Sequence, residues 1–430
     1  MLKELTAFPN RKQVYAWTLY DGANSAFATT VMAAVLPTFY SSVAAGNLAP
    51  NLASSYWGYS NTIAMIFIAL SAPVLGAIAD FRSSKLRFLK IFLVLGIFFT
   101  AALYLIQKGD WLAASAFYIV ARIGFAGTNI FYDSLLPHVA PKDRIDQVSL
   151  LGYAVGYLGG GLLLALNLWF IMKPEMWGMA DSAQAARVSF VSVAVWWGLF
   201  SIPLFRYVPE PPGSPSTNQH RNALVESFRR LSNTLRNMRR FRELFRFLLA
   251  FWLYNDGIGT IIVMAVIFGA EIGIGQSDLI GAILLVQFLG MPFSILFIKI
   301  AQKLSARNAI ILGLAGYCLV SIGGFFLQNA LHFWIMAVVV SMIQGGTQGL
   351  SRSVYGSMVP KQKSAEFFGF YDVSQKFSGI LGPTIFGLVG QLMGNSRWGI
   401  LALILFFISG ILLLLKIDVS RGIAQAEARA

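Results

Sequence analysis

The sequence places charged side chains inside long apolar segments, where a buried charge needs a chemical reason. Asp21 lies in the apolar run 14–43, and Asn24 and Ser25 follow it at a spacing that puts all three on one helix face. A run of this length can cross a bilayer as a helix. A carboxylate at that depth is costly when it faces lipid, so we expect Asp21 to face a cavity or a charged partner.

A second apolar segment repeats this arrangement. The stretch Trp252–Gly257 resembles Trp17–Gly22, and Asp256 lies 235 residues after Asp21. A buried carboxylate can gain or lose a proton, so this pair predicts that Asp21 or Asp256 couples proton movement to another process. A structural carboxylate, hydrogen-bonded to a neighbouring helix, is the alternative.

Arg122 is a third charge within an apolar run, 111–138. It lies about 11 residues, and therefore roughly 17 Å, along the expected helix. A guanidinium at that depth suits a carboxylate ligand or an acid that takes part in proton transfer. A structural role is the alternative.

Two further pairs of charges lie within apolar runs. Asp133 and Arg352 are 219 residues apart, the period of an internal repeat described below, and we predict that they form a gating ion pair. Asp372 and Lys376 are four residues apart and can pair on one helix face, in a gating or a structural role. Lys376 could instead pair with Asp133, and Asp372 with Arg352.

The elements that must position these residues are membrane-spanning helices. The 430 residues are 57% hydrophobic and 12% charged, and the charged fraction is about half that of soluble domains. The apolar runs long enough to span a membrane cover residues 14–43, 54–79, 88–107, 111–138, 147–172, 187–207, 245–270, 279–298, 308–328, 331–358, 364–392 and 398–417. The sequence therefore predicts an all-α integral membrane protein with twelve transmembrane helices.

The distribution of positive charge predicts the orientation in the membrane. With a cytoplasmic N-terminus, 26 of the 33 Lys and Arg residues lie in cytoplasmic segments and four in external loops. We therefore predict that both termini are cytoplasmic, in a plasma membrane or a bacterial inner membrane. The net charge of +14 then reflects topology and not a nucleic-acid partner.

A polar segment divides the twelve runs into two sets of six. We predict an N-terminal bundle over 1–207, a cytoplasmic linker over 208–243 and a C-terminal bundle over 244–430. The linker begins with a Pro- and Ser-rich stretch and continues as a basic amphipathic segment, which we expect to lie on anionic membrane lipid or to act as a simple tether. Nothing indicates association, and we expect a monomer.

The two sets of six are related by an internal repeat. At an offset of 219 residues, Gly127-Thr128-Asn129 matches Gly346-Thr347-Gln348, and Pro141-Lys142 matches Pro360-Lys361. Parallel repeats of six helices, related by an axis along the membrane normal, are typical of the major facilitator fold. Glycines at helical spacing in the fifth and eleventh runs predict close helix packing: Gly152, Gly156, Gly160, Gly379, Gly382 and Gly387.

The chain resembles the major facilitator superfamily over nearly its whole length, and within it the vacuole effluxer-like family. The resemblance rests on LYDGANSAF at 19–27, GGTQGLSRS at 345–353 and EFFGFYDVSQKFSGILGP at 366–383. The fungal members of that family are autophagy-related amino-acid effluxers. The resemblance therefore implies transport of small organic solutes, with neutral amino acids as one class.

The superfamily's signature in the loop after the second span is present in a modified form. Gly76, Asp80, Arg82 and Lys85 carry it, with Phe81 where an arginine usually follows the aspartate. The resemblance also implies a central cavity lined by the polar residues of several spans. Its expected amide and phenol groups are Asn24, Asn129, Tyr132, Tyr254, Asn255, Gln348 and Tyr355.

These features predict a secondary transporter that works by alternating access and is coupled to protons. The sequence contains no G-x-x-x-x-G-K-[ST] motif for ATP, and its three histidines and single cysteine show no catalytic or metal-binding spacing. We therefore expect no enzymatic activity, no cofactor and no metal. Two alternatives remain, a non-transporting receptor or scaffold on the same fold and a lipid-moving relative with apolar lateral openings.

Overall fold

The structure of the chain, a computed structural model, describes residues 8–213, 241–377, 379 and 381–428, with the backbone alone for 50, 51, 276, 376 and 377. The described residues form helices joined by loops, without a β-strand. The helices are α1 Arg11–Ala44, α2 Pro50–Arg82, α3 Lys85–Ala102, α4 Trp111–Ser134, α5 Ile145–Met172, α6 Ser182–Tyr207, α7 Arg242–Glu271, α8 Gln276–Leu304, α9 Ala306–Phe325, α10 Ala330–Ser357, α11a Ser364–Phe377, α11b Leu381–Leu392, α12 Ser396–Leu415 and α13 Val419–Glu427.

Among the described residues, eleven helices are long and apolar enough to cross a membrane. They correspond to eleven of the twelve predicted spans, and most extend a few residues beyond the predicted bounds. Helix α1 contains two π-helical stretches, Phe27–Val35 and Tyr40–Ala44, on either side of a short α-helical turn. The fold class is therefore the predicted one, and α11a and α11b lie where the remaining crossing was predicted.

The prediction of one continuous helix over 364–392 is wrong. The crossing is interrupted between α11a and α11b, and Asp256 of α7 accepts hydrogen bonds from the free backbone N–H groups of Leu381 and Gly382 at 3.2 and 2.9 Å. A helix start leaves such donors unsatisfied, and a carboxylate satisfies them well. Glycine weakens a helix interior, and Pro383 is tolerated in a first turn, so the local sequence permits the break.

Within the N-terminal bundle, α1 packs closely on α5 through the predicted glycines. A Cβ atom on Gly156 would lie 2.8 Å from the Ser25 oxygen, and one on Gly160 would lie 3.0 Å from a Thr29 methyl group. In the C-terminal bundle the prediction of close helix packing is correct for Gly382 alone. Gly379 lies in the turn before α11b, and Gly387 faces open space.

The two bundles meet most extensively along two pairs of helices. Helix α5 packs on α8, where the Tyr157 ring lies against Gly290, and α2 packs on α11a. At the second crossing a Cβ on Gly369 would lie 2.7 Å from the Pro73 Cα. Gly290 therefore makes room for the Tyr157 ring, and Gly369 permits close backbone approach of α2 and α11a.

We use the term basic end for the end of the bundle that carries the α2–α3, α4–α5, α8–α9 and α10–α11a loops. At this end Asp80 of α2 binds the backbone of α11a, and His138 lies 3.1 Å from Ser364. At the opposite end the Arg187–Gln107 and Arg397–Phe325 hydrogen bonds each stay within one bundle. The molecule is therefore closed by contacts between bundles at the basic end.

A C-terminal helix that the sequence pattern did not predict, α13, crosses the basic end. Its residue Glu427 accepts a hydrogen bond from Lys142 of the other bundle at 2.6 Å, and this contact lowers the pKa of Glu427. Lys142 and its repeat partner Lys361 line a cavity of about 130 Å³ beneath the helix. Burial lowers the pKa of Lys361, and the neighbouring Lys142 lowers it further.

The start of the linker is fixed to the N-terminal bundle. The Glu210 carboxylate accepts hydrogen bonds from the N–H groups of Lys85 and Leu86 at 2.6 and 2.9 Å, and so caps the start of α3. Burial raises the pKa of Glu210. Residues 214–240, which contain the predicted amphipathic segment, lie outside the described residues, and the proposed domain boundaries remain predictions.

Candidate functional site

Arg352 of α10 lies at the centre of the contact between the bundles. Its guanidinium makes ion pairs with Asp133 of α4 at 3.1 Å and with Asp21 of α1 at 3.0 Å. The side chain of Arg352 is 4% exposed, and those of Asp21 and Asp133 are 13% and 15% exposed. The sequence predicted an ion pair of Asp133 and Arg352, and the structure shows a buried cluster of three charges.

The surroundings of Arg352 fix the guanidinium in place. Its Nε donates to the Ser149 hydroxyl and its Nη2 to the Ser149 carbonyl, both at 2.9 Å. The guanidinium also lies over the rings of Trp17 and Tyr153, at 4.8 and 4.5 Å from their centroids. Cation–π contacts and hydrogen bonds of this kind compensate for the lost hydration of a buried cation. Every one of these partners belongs to the N-terminal bundle.

The two aspartates are positioned by a clamp between α1 and α4. The indole N–H of Trp17 donates to the Tyr132 carbonyl at 3.0 Å, and the Tyr132 hydroxyl donates to the Trp17 carbonyl at 3.1 Å. Their rings stack with centroids 4.5 Å apart. Gly152 of α5 makes room for the cluster, because a Cβ there would lie 2.7 Å from the Asp21 carboxylate. Tyr132 is therefore a support for the ion cluster, buried at 1% exposure.

Two more hydrogen bonds join α5 to α10 beside the cluster. Ser353 donates to the Asp146 carboxylate at 2.5 Å, and Ser149 donates to the Gly349 carbonyl at 2.7 Å. Sequence reasoning missed Asp146, Ser149 and Tyr153. These residues are spaced three and four apart, so they form a polar stripe on an apolar helix. That stripe is the pattern from which they could have been predicted.

The loop after α2 forms a second layer of contacts between the bundles. The Asp80 carboxylate accepts hydrogen bonds from the N–H groups of Ala365 and Glu366 at 3.2 and 2.7 Å, so it caps α11a. It also forms a buried ion pair of 2.9 Å with Lys85. Lys85 thus supplies the positive charge expected where Phe81 stands. Gly76 lies against the start of α11a, and Arg82 is exposed.

The polar contacts around Asp80 extend from Lys85 to a histidine. Its ammonium lies 3.2 Å from His138 Nε2, which lies 3.1 Å from the Ser364 hydroxyl. Both bundles therefore contribute to one connected set of polar groups around Lys85. In the sequence His138 stands as an isolated histidine, because its partners come from distant parts of the chain.

Away from the basic end, a polar stripe of α4 leads from Asp133 to Arg122. Asn129 lies one turn from Asp133 and accepts a hydrogen bond from Asn24 of α1. Arg122 lies two turns further along α4 and donates to the Tyr118 hydroxyl at 2.8 Å. The predicted group of Asn24, Asn129 and Arg122 is thus arranged along one side of α1 and α4.

The C-terminal bundle places its predicted residues differently. Tyr254 pairs with Ser351 at 2.6 Å, and the buried Asn255 precedes Asp256, whose carboxylate caps α11b. Gln348 is partly exposed on α10, one turn from Arg352. Tyr355 donates to the Phe367 carbonyl at 2.6 Å and is fully buried in this arrangement, so its place in a cavity stays a prediction.

The predicted pair of Asp372 and Lys376 remains a prediction. Asp372 is buried on α11a at 3% exposure, whereas the side chain of Lys376 lies outside the described residues. Arg352 and Asp133 pair with each other in this structure, and the alternatives that involve Asp372 and Lys376 stay predictions. No group of three or more metal-binding side chains occurs among the residues that the structure describes.

Comparison with known sequences places this geometry in a family context. Residues 9–427 match the family described as vacuole effluxer Atg22 like. The chain is 37% identical to the uncharacterized MFS-type transporter YxiO of Bacillus subtilis, over 99% of both chains. It is 26% identical to autophagy-related protein 22 of Yarrowia lipolytica, over 65% of this chain and 52% of the relative. The match therefore spans about half the length of that fungal protein.

Solved structures with the same fold are distant in sequence. The proton:xylose symporter XylE superposes with a TM-score of 0.70 at 15% identity, covering 94% of both chains. The human organic anion transporter MFSD10 gives 0.69 at 14% identity, covering 95% of this chain and 100% of the other. FucP in an outward conformation gives 0.67 at 12% identity, covering 96% and 99%. These similarities show the major facilitator fold.

Proposed function

The chain belongs to the Atg22-like vacuole effluxer family of membrane transporters, and we propose that it moves a small organic solute by alternating access. The observation that carries this proposal is Arg352, a residue of the C-terminal bundle whose ionic partners, Asp21 and Asp133, lie in the N-terminal bundle. Opening the basic end requires these ion pairs to separate. The cluster is therefore suited to be the gate at that end.

The basic end corresponds to the cytoplasmic side in this proposal. The positive-inside distribution of Lys and Arg supports that assignment. The arrangement then has a closed cytoplasmic gate, with the Asp80 layer lying between the ion cluster and the cytoplasm. Binding of solute from the open side would precede separation of both layers.

The charge of the cluster supports proton coupling. One guanidinium and two carboxylates carry a formal charge of −1, so a single proton would neutralise the cluster. A protonated Asp21 or Asp133 binds Arg352 more weakly than a carboxylate does. A proton could thereby favour separation of the bundles. Asp256, in contrast, binds backbone N–H groups within its own bundle, which makes Asp21 the better coupling candidate.

Neutral amino acids are the first solutes to test, because the family resemblance points to them. The rival proposal of a lipid-moving protein requires lateral openings between α5 and α8 or between α2 and α11a. Both pairs are closely packed, with Tyr157 on Gly290 and Pro73 on Gly369. A receptor or scaffold would not require ion pairs between the bundles that separate during function.

The proposal is tested by uptake of labelled leucine into proteoliposomes with and without an inward proton gradient. We expect the gradient to accelerate uptake by the native chain. Asp21→Asn should abolish proton movement with substrate, and Asp256→Asn should retain it. If both variants carry protons with substrate at the native stoichiometry, proton coupling through these aspartates is wrong.

A further inference from the structure

The cavity of about 130 Å³ at the basic end lies where the two bundles and α13 meet. Ala140 and Ile145 line it from the N-terminal bundle, Val359 and Pro360 from the C-terminal bundle, and Ile423 from α13. An apolar cavity of about 150 Å³ is large enough to bind benzene. This cavity can therefore hold the apolar body of a small organic molecule, and such a molecule would contact both bundles.

Helix α13 covers the cavity and is attached to both bundles. At its start, the Asp418 N–H donates to the Glu243 carboxylate of α7 at 3.2 Å. At its end, Glu427 accepts a hydrogen bond from Lys142 of the N-terminal bundle at 2.6 Å. The side chains of Lys142 and Glu427 are 72% and 54% exposed, so this contact is open to competition from a dissolved anion.

The charged groups that line the cavity are two lysines and one carboxylate. Lys142 and Lys361 are equivalent residues of the internal repeat, and the fold brings both of them to this cavity. Glu427 pairs with Lys142, and the adjacent Asp143 pairs with Arg144, whereas Lys361 makes no ion pair with a carboxylate of the described residues. Burial and the nearby Lys142 both lower the pKa of Lys361. A second carboxylate at this site would therefore be favourable.

The lining of the cavity indicates the class of ligand. Its apolar walls suit an apolar body, and its two ammonium groups suit a carboxylate. We propose that the cavity binds a small organic anion, with an apolar ring or short chain inside it and the carboxylate between Lys142 and Lys361. The site shares no residue with the Arg352 cluster, and the inference goes beyond the proposed function by adding a second ligand.

The position of the site gives this ligand an inhibitory role. Because both bundles contribute walls, the complete site exists in the closed arrangement of the basic end. A ligand that binds one of two arrangements shifts the population toward that arrangement. The bound anion therefore holds the basic end closed.

Binding is tested by ligand-dependent thermal unfolding of the purified full chain in detergent. The probes are benzoate, benzamide, acetate and phosphate. Benzoate should raise the unfolding midpoint, because it combines a ring with a carboxylate. Benzamide lacks the charge, acetate and phosphate lack the ring, and all three should leave the midpoint unchanged.

Variants of the charged groups separate binding from a structural role. Lys361→Gln should weaken benzoate binding about tenfold, the loss expected for a hydrogen bond between charged groups. Lys363→Gln, on the same turn and outside the cavity lining, is the matched control and should bind normally. Glu427→Gln removes the carboxylate that competes for Lys142, so it should bind benzoate more tightly than the native chain.

A further variant tests the cavity itself. Ala426→Leu adds volume to a residue of the lining and retains both lysines, so it should abolish benzoate binding. This result would distinguish occupation of the cavity from adsorption of benzoate to surface lysines.

The inhibitory role is tested by thiol labelling of Ala365→Cys in a Cys318→Ala background. Ala365 is fully buried in the closed arrangement. Benzoate at about ten times its dissociation constant should slow the labelling roughly tenfold, the factor by which it favours the closed arrangement. Benzamide is the matched control and should not slow it.

The inference is overturned by equal stabilisation with benzamide, by unchanged benzoate binding in Lys361→Gln, or by the absence of stabilisation with benzoate. Stabilisation by phosphate alone would assign a different anion and also contradict it. Benzoate binding that leaves the labelling of Ala365→Cys unchanged would contradict the inhibitory role. None of these measurements uses a transported solute, so failure of the proposed function would not decide them.

Discussion

At the scale of single residues, the arrangement around Arg352 explains why charges are retained inside a membrane protein. The guanidinium is compensated by two carboxylates, a serine and aromatic faces, all supplied by the other bundle. Removing one partner of a buried pair destabilises the arrangement by about 3–5 kcal/mol, because it leaves an uncompensated charge. The cluster is complete only while the basic end is closed, because Arg352 and the two aspartates come from different bundles.

Asp80 gives a residue-scale prediction for the second layer. Asp80→Asn removes the negative charge that binds the start of α11a and leaves Lys85 buried without its ionic partner. The closed arrangement should lose stability relative to the open one. A cysteine at Ala365, a fully buried site in the closed arrangement, reports the change when Cys318 is replaced by alanine. We expect its labelling rate to rise about tenfold or more.

The matched control for this prediction is the double variant Asp80→Asn/Lys85→Met. It removes both charges, so no buried lysine remains uncompensated. Its labelling rate should fall between those of the native chain and the single variant. Native-like labelling in Asp80→Asn would show that this layer does not hold the basic end closed.

At the scale of helices, hydrophobic length is sufficient to predict eleven of the crossings and the fold class. The repeat offset of the sequence also relates Asp133 to Arg352 by position alone. The break before α11b was not predictable in the same way. It depends on Asp256, a side chain more than a hundred residues away, which satisfies the backbone of Leu381 and Gly382. Such contacts arise from tertiary packing and leave no local pattern.

The residues of the candidate site also divide into those that the sequence identified and those that it missed. Asp21 and Arg122 were recognisable because a charge within an apolar run is rare. Asp146 and Ser149 were missed because short polar residues in a helix usually have local roles. Asp80 was assigned to a loop motif, yet its role in capping α11a depends on a helix of the other bundle.

A pair of glycines in α11b tests how the broken crossing is packed. Gly382→Ala would place a Cβ 2.8 Å from the Asp256 carboxylate, so it should disturb the cap and lower the thermal unfolding midpoint. Gly387→Ala is the matched control, because no atom lies within 4 Å of its Cβ. Alanine is favoured over glycine in helices by roughly 1 kcal/mol, so this variant should be neutral or stabilised. Equal effects at both positions would contradict the close packing at Gly382.

At the scale of the whole molecule, the two bundles are related by the repeat but differ in their chemistry. Asp21 and Asp256 begin equivalent stretches, yet one pairs with Arg352 and the other caps α11b. Asp133 and Arg352 are equivalent in position and opposite in charge. The symmetry thus brings equivalent residues together at the basic end, and the differences between them make the contact attractive.

The central claim, a gate of ion pairs in an alternating-access transporter, is tested most directly by distances between the bundles at both ends. Spin labels on Arg87→Cys and Lys303→Cys report the basic end. Labels on Lys108→Cys and Gln328→Cys report the opposite end. All four positions are exposed in the structure, and Cys318→Ala provides the background. Distance distributions are recorded for the native gate, Arg352→Gln and the control Arg187→Gln.

Arg352→Gln removes the ion pairs that hold α10 against Asp21 and Asp133 of the N-terminal bundle, so the basic end should open. We predict that the basic-end distance lengthens while the opposite-end distance shortens, and that Arg187→Gln resembles the native chain. Unchanged distances in Arg352→Gln, or changes in the same direction at both ends, would contradict a gate of ion pairs at the basic end.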